Sequence, residues 1–232
     1  MSYVTIKATD GSGEFKAYVS KPEKTPAATL VVIQEIFGVN KVMRDICDEY
    51  AKQGYLTICP DLFWRQEPDV DITDQTQEEW DKAFELFGGF DVDKGVEDLQ
   101  ATASFIRNHD DSNGKVGSIG FCLGGKLAYL MASRTDTDCN VSYYGVGLNE
   151  LVDEKGNIDK PLLMHVASED KFVDKDAQEV MEAELIGHDH IDYNKYEGVD
   201  HAFARVGGEH YDQDATTLAN KRTAEFLREN LK

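Results

Sequence analysis

Residues 28–35, "ATLVVIQE", form a nearly unbroken apolar run. It is short for a core helix and has no polar alternation, which is the pattern of a strand buried on both faces. Similar stretches recur as "YLTICPDLF", "KVGSIGF", "VSYYGVG" and "PLLMHVAS", with "DYNKYEG" as a last strand. Segments of helical character alternate with them, at about 40–53, 92–108, from Leu123 onward, 174–186 and 212–231. In the first of these Val42, Ile46 and Tyr50 form an apolar stripe and Gly54 is the stop. Buried strands alternating with helices through short connections imply an α/β fold: one doubly wound, mostly parallel sheet with helices on both faces. Residues 3–8 and 15–20 alternate apolar and polar around "TDGSGE", which predicts an N-terminal antiparallel hairpin at the sheet edge.

Only the acidic stretch at about 65–90 breaks this rhythm. It has a turn-rich start and an amphipathic helix around 76–88, a small helical insertion over a sheet edge or a site mouth. No repeat or flexible linker divides residues 1–232, so a single domain is expected.

Against 44 acidic residues stand 24 Lys and Arg, a net charge of −20. That excludes a nucleic-acid surface, and an anionic ligand would need a local positive group. No signal peptide is legible at the start and no window approaches the length of an apolar membrane span. The cysteines Cys47, Cys59, Cys122 and Cys139 form no CxxC pair, which suits free thiols in a reducing cytoplasm.

Cys122 is distinguished by its surroundings. "GFCLG" frames it with glycines two positions away on either side, between a strand and a helix. A nucleophile elbow requires small residues there, because its sharp turn brings backbone segments too close for side chains. The following helix N-terminus favours a thiolate. A buried cysteine in a glycine corner is the plain alternative, and the strand before and helix after weigh against it.

A thiol nucleophile usually needs a base, and the base an orienting acid, in the chain order nucleophile, acid, histidine. Active sites of such sheets lie at the carboxyl ends of the strands. "LLMHVASEDKFVD" puts Glu169 and Asp170 at one such end, and "YNKYEGVDHAFARV" puts Asp200 and His201 at another. Asp170 and His201 are the chosen acid and base. Asp174 is a competing acid, Glu169 is expected to point away, and Asp200 to be solvated beside His201. His188 and His190 lack a third metal ligand and read as a surface turn. His165 reads as a core histidine, and His109 and His210 have no context.

"VVIQEIFGVN" follows the first buried strand, where this architecture supplies an oxyanion-hole donor. The backbone N–H of Ile36 would act with that of Leu123. Glu35 sits at the end of an apolar strand, an expensive place for a carboxylate. It either turns to solvent, pairs with an Arg, or contacts Cys122 and controls the thiol proton.

The motifs "QEIFGVN", "DLFWRQ", "SNGKVGSIGFCLGG", "YYGVGL" and "DHAFARV" occur in order along nearly the whole chain. Together they resemble the dienelactone hydrolase family of α/β-hydrolases. The resemblance implies hydrolysis of an enol-lactone such as 4-carboxymethylenebut-2-en-4-olide to maleylacetate. It implies Cys122 as nucleophile, His201 as base, Asp170 as acid and Glu35 as the residue that takes the thiol proton when substrate binds. Arg205 would hold the substrate carboxylate, and Tyr143 would line the pocket. One position departs: "QEEWDKAF" puts Trp80 about where dienelactone-specific members carry a second carboxylate-binding arginine, and Lys82 lies two positions on. Neither metal nor organic cofactor is implied. The partner is a small lactone or ester, not nucleic acid or membrane, and the chain is a monomer or weak homo-oligomer. A neutral ester or lactone is the alternative substrate, and a thiol-based redox-sensing or binding protein the alternative function.

Overall fold

A computed structural model describes residues 2–231. The chain divides into two compact units, Met1–Gly117 and Ser118–Lys232.

In the first unit β1 (Ser2–Lys7) and β2 (Glu14–Ser20) form the expected hairpin, antiparallel with Ser2 opposite Val19 and Lys7 opposite Glu14. Asp10 shapes its turn by accepting the Ser12 backbone N–H at 3.0 Å. β2 also pairs antiparallel with β4 (Leu56–Pro60), while β3 (Ala27–Ile33) pairs with β4 in parallel. Every residue of β3 and β4 is buried, as their unbroken apolar runs require.

Helix α1 (Lys41–Lys52) starts at Asn40, whose side chain accepts the Met43 N–H. Its buried face is Met43, Cys47, Tyr50 and Ala51, with Val42 and Ile46 only half-buried. The expected stripe thus holds at Tyr50 and is one position out of phase at Val42 and Ile46. Apolar residues are doubled at 42–43 and 46–47, so spacing alone fits either phase, and packing against β4 selects one. Helix α2 (Gln77–Gly88) begins at a capping Thr76 inside the acidic stretch, and α3 (Val92–Arg107) is capped by Asp91. On α3 the buried carboxylate of Asp98 holds the Arg65 guanidinium through two bonds, 2.8 and 2.9 Å, and the Trp64 indole at 2.8 Å. Arg65 reaches on to Asp10 at 3.1 Å and so ties the hairpin turn to the insertion.

β5 (Ser112–Phe121) straddles the division between the units. In the second unit follow α4 (Leu123–Arg134), β6 (Cys139–Tyr143), β7 (Leu162–Ala167), α5 (Lys175–Leu185), β8 (Ile191–Tyr196) and α6 (Gln213–Leu231). β6, β7 and β8 are parallel neighbours, Val141 opposite Leu163 and Leu163 opposite Asp192. β6 ends at Tyr143, short of the expected "VSYYGVG", because Tyr144 takes φ 38° and turns the chain away. Two short 3-10 turns, Leu148–Glu150 and Val152–Asn157, fill the connection to β7.

The strand order is β1-β2-β4-β3-β5-β6-β7-β8, a mixed but mostly parallel sheet with its antiparallel hairpin at one edge. The carboxyl ends of β5, β6, β7 and β8 carry the residues singled out for chemistry in the second unit.

Candidate active site

Between the last residue of β5 and the first of α4 stands one residue, Cys122, at φ 56° and ψ −115°. Only four non-glycine residues among those described take positive φ: Asp69, Cys122, Tyr144 and Ala202. Three of the four therefore follow β5, β6 and β8 in the second unit. Backbone strain of this kind survives only where neighbouring structure enforces it, and it gathers at functional sites.

The glycines of "GFCLGG" show how it is enforced. A Cβ on Gly120 would lie 1.9 Å from the Gly124 carbonyl oxygen, and one on Gly125 would lie 2.4 Å from that of Tyr143. Strand, turn and helix meet backbone to backbone, and only glycine leaves room. The turn is anchored by Cys122 N–H donating to the Tyr143 carbonyl at 3.1 Å and by the Cys122 carbonyl accepting Lys126 N–H at 3.1 Å. Leu123 opens α4, so its N–H belongs to the helix end that has no intrahelical acceptor and bears the positive pole of the dipole.

Asp170 follows β7 and His201 follows β8. Asp170 Oδ2 lies 2.8 Å from His201 Nδ1, and their side chains are 2% and 5% exposed. The other Asp170 oxygen accepts Phe172 N–H at 2.9 Å, which fixes the carboxylate plane. On the far edge of the ring, His201 Nε2 is buried without a hydrogen-bond partner. Burial disfavours the imidazolium, yet the charge of the Cys122 sulfur and the Asp170 hydrogen bond prevail, and the ring is pushed from 6.5 up to about 10. The Cys122 sulfur contributes to that rise through both charge and hydrogen bonding, although Nε2 has no partner in full hydrogen-bond geometry. Catalytic hydrogen bonds are often this open before substrate binds. Two aromatic rings flank the imidazole: Tyr144 with its centroid at 5.1 Å and Phe172 at 4.8 Å, the latter half exposed.

The competing carboxylates have other work. Asp174 caps α5 by accepting Ala177 N–H at 2.8 Å, and Glu169 pairs with Lys175 at 2.9 Å on the surface. Asp200 departs from its expectation. It is not solvated, with a side chain only 16% exposed and bonds to Lys171 and to the His201 backbone. His165 is the expected core histidine, fully buried between the Tyr196 hydroxyl at 2.8 Å and Thr223 Oγ1 at 2.9 Å. Burial lowers its pKa to about 3, with the Arg222 charge assisting, so it stays neutral at ordinary pH.

Tyr143 is also buried in this network, its hydroxyl 3.0 Å from Asn220 and 2.7 Å from Thr223 on α6. The tyrosine ring that meets His201 is the next one, Tyr144, which sequence reasoning passed over. A signal existed in the adjacent "YYG", where a glycine-bounded strand end invites a turn. Arg205 lies half-buried in the turn after His201, its N–H on the Ala202 carbonyl at 2.9 Å.

In the first unit Glu35 and Ile36 follow β3, 3% and 5% exposed, which removes the solvent-facing option for Glu35. Trp80 on α2 stacks with Phe84 at 5.5 Å and meets Phe37 edge-on at 5.1 Å, and its indole donates to the Asp74 carbonyl at 3.0 Å. Lys82 is bound to Glu67 at 2.7 Å and lies 3.5 Å from Glu85. Among the described residues no His, Cys, Asp and Glu cluster is arranged to hold a metal ion, and no helix is long and apolar enough to cross a membrane.

A mostly parallel sheet with a strained elbow between strand and helix defines the α/β-hydrolase fold. The chain belongs to the dienelactone hydrolase family, whose model matches residues 15–231, and it is accordingly an ester or lactone hydrolase. A relative from Azospirillum brasilense is 52% identical, with both chains covered in full. The carboxymethylenebutenolidase of Pseudomonas putida is 38% identical over 97% of this chain and 94% of its own. In shape the chain is similar to a dienelactone hydrolase-like promiscuous phosphotriesterase from metagenomic libraries, with a TM-score of 0.81 at 20% identity, covering 100% of this chain and 99% of the other.

Proposed function

We propose that this protein opens a dienelactone, 4-carboxymethylenebut-2-en-4-olide, to maleylacetate by two-step acyl transfer through a Cys122–His201–Asp170 triad. The observation that carries the reading is the buried 2.8 Å Asp170–His201 pair whose free Nε2 belongs to a ring that interacts with the elbow sulfur. The Cys122 thiolate attacks the lactone carbonyl and the C–S bond forms. The ring C–O bond then breaks, leaving an acyl-enzyme and an enolate that takes its proton from the His201 imidazolium, which leaves the ring neutral for the second step. His201 next removes a proton from water, the hydroxide attacks the thioester, and the acid leaves as the sulfur is released. Asp170 keeps Nδ1 protonated and steadies the imidazolium.

The helix N-terminus at Leu123 suits an oxyanion donor. The family resemblance adds Ile36 N–H as the second donor and Glu35 as the group that takes the thiol proton. Arg205 is assigned to the substrate carboxylate and Trp80 to a wall of the substrate site. Tyr143, fully buried with its hydroxyl bonded to α6, is not assigned there, and the tyrosine beside His201 is Tyr144. Cys122→Ala is expected to abolish hydrolysis with an unchanged fold. Turnover of activated esters by this variant at the wild-type rate would sink the triad.

A neutral ester or lactone is a second reading, favoured by one observation. α2 offers the aromatic Trp80 where a second carboxylate anchor is expected, and its nearby cation, Lys82, is already bound to glutamates. A rate comparison between a carboxylated enol-lactone and its neutral counterpart separates the two, a strong preference for the carboxylate favouring dienelactone.

A further inference from the structure

The acid and the base sit on different loops, and their meeting depends on what holds those loops together. The loop after β7 presents Asp170 and Lys171, and the loop after β8 presents Asp200 and His201. Two backbone bonds join the loop bases, Ser168 N–H to the Tyr196 carbonyl and Glu169 N–H to the Val199 carbonyl, each 2.9 Å. Beyond them Phe172 packs its ring against His201 at 4.8 Å, and two aspartates reach across in opposite directions. Asp170 crosses to the His201 ring at 2.8 Å. Asp200 crosses back, and its Oδ1 accepts Lys171 N–H at 3.1 Å together with His201 N–H at 2.7 Å.

We propose that Asp200 is a positioning residue: by joining the backbone N–H groups of Lys171 and His201 through one oxygen, it locks the acid loop to the base loop and holds Asp170 against Nδ1. The proposal rests on the acyl-transfer reading above. Three features support it. The two N–H groups flank the working pair, since Lys171 directly follows Asp170 and one of them is His201's own. Ala202, the residue after His201, is held at φ 61°, a conformation that relaxes unless the preceding backbone is pinned. Asp200 is also anionic: burial would raise its pKa, but Lys171 and the two N–H donors lower it. The Lys171 ammonium, at 2.8 Å from Oδ2 but 70% exposed, contributes little to the grip.

The brace makes a prediction that general destabilisation does not. Loss of Oδ1 frees the two loops to shift against each other, and misplacing a catalytic group by about an ångström costs up to about 100-fold in rate. Asp200→Ala should lower kcat for 4-nitrophenyl acetate about tenfold and leave KM within about twofold. Asp200→Asn keeps an oxygen acceptor for both N–H groups and should stay within about threefold of wild type. The downfield proton resonance of the His201 Nδ1–H should be present in wild type and in Asp200→Asn, and absent or broadened in Asp200→Ala. A folded Asp200→Ala protein with wild-type kcat and an intact resonance overturns the proposal, as does a loss confined to KM. If Asp200→Ala fails to fold, Asp200→Asn decides: retained rate and resonance support the brace, and loss of both refutes it. Cys122→Ala measured alongside separates the underlying reading. Wild-type turnover in that variant refutes acyl transfer through Cys122, while the resonance continues to report on the brace.

Discussion

Gly120→Ala tests whether close backbone approach, rather than the cysteine alone, makes the elbow. The added methyl would stand 1.9 Å from the Gly124 oxygen, 2.3 Å from its carbonyl carbon and 3.0 Å from its Cα. An unstrained contact needs about 3.4 Å, so the first turn of α4 must retreat by about 1.5 Å. No side chain can rotate out of the way, since all three atoms are backbone. Overpacking costs about 1–3 kcal/mol, and a backbone conflict belongs at the upper end, about 3 kcal/mol. For a chain of this size that lowers Tm by about 6–12 °C. Activity should fall further than stability implies, because displacing the elbow moves Cys122 relative to His201, with a loss of about 100-fold in kcat/KM. The measurement is urea unfolding with hydrolysis of an activated ester, and Gly156→Ala is the control. Gly156 is exposed, has no positive φ, and a methyl group added to it would meet nothing within 4 Å. Alanine there should be neutral or stabilise by about 0.4–1 kcal/mol. If Gly120→Ala costs less than about 1 kcal/mol and keeps its activity, the close-approach argument is wrong.

Two further outcomes follow from the histidines. His201 titrates at about 10 in the folded chain against 6.5 as its ordinary value, so its protonation stabilises the fold fully below about pH 6.5, and that contribution is lost as pH rises through 10. Cys122→Ala removes the sulfur that helps raise the ring's pKa, and should bring the ring's NMR titration midpoint down while flattening the alkaline fall in Tm. An unmoved midpoint would show that sulfur and ring do not interact. His165 has the opposite sign. Its folded pKa is lowered to about 3, so the unfolded chain binds a proton that the native chain refuses, and stability is lost as pH falls from about 6.5 toward 3. His165→Phe should cost about 2 kcal/mol at pH 7, because the Tyr196 hydroxyl and Thr223 Oγ1 each lose the ring nitrogen they bond. It should also shrink the difference in urea midpoint between pH 7 and pH 5, and equal differences in the two proteins would contradict the reading.

The sequence made different parts of this molecule legible for different physical reasons. Strands buried on both faces were visible because burial leaves an unbroken apolar run, and β3 and β4 are buried at every residue. The elbow was visible because a Cβ at position 120 would fall 1.9 Å from the Gly124 oxygen, so only glycine fits and the geometry is written into residue type. Asp170 and His201 could be chosen because the fold places chemistry at strand ends in a set chain order. What stayed hidden depends on direction, which composition does not encode. "YY" does not say that one tyrosine completes β6 and bonds to α6 while the next turns at φ 38° toward His201. The doubled apolar positions of α1 do not say which phase faces β4. Asp200 shows the same limit most plainly. Reasoning about neighbouring side chains is sound in that its carboxylate does not meet the imidazole beside it. It fails because a carboxylate can also accept backbone N–H groups, including that of the next residue and of a residue 29 positions earlier. A residue discounted for lying next to His201 is therefore the one that joins the loops carrying Asp170 and His201.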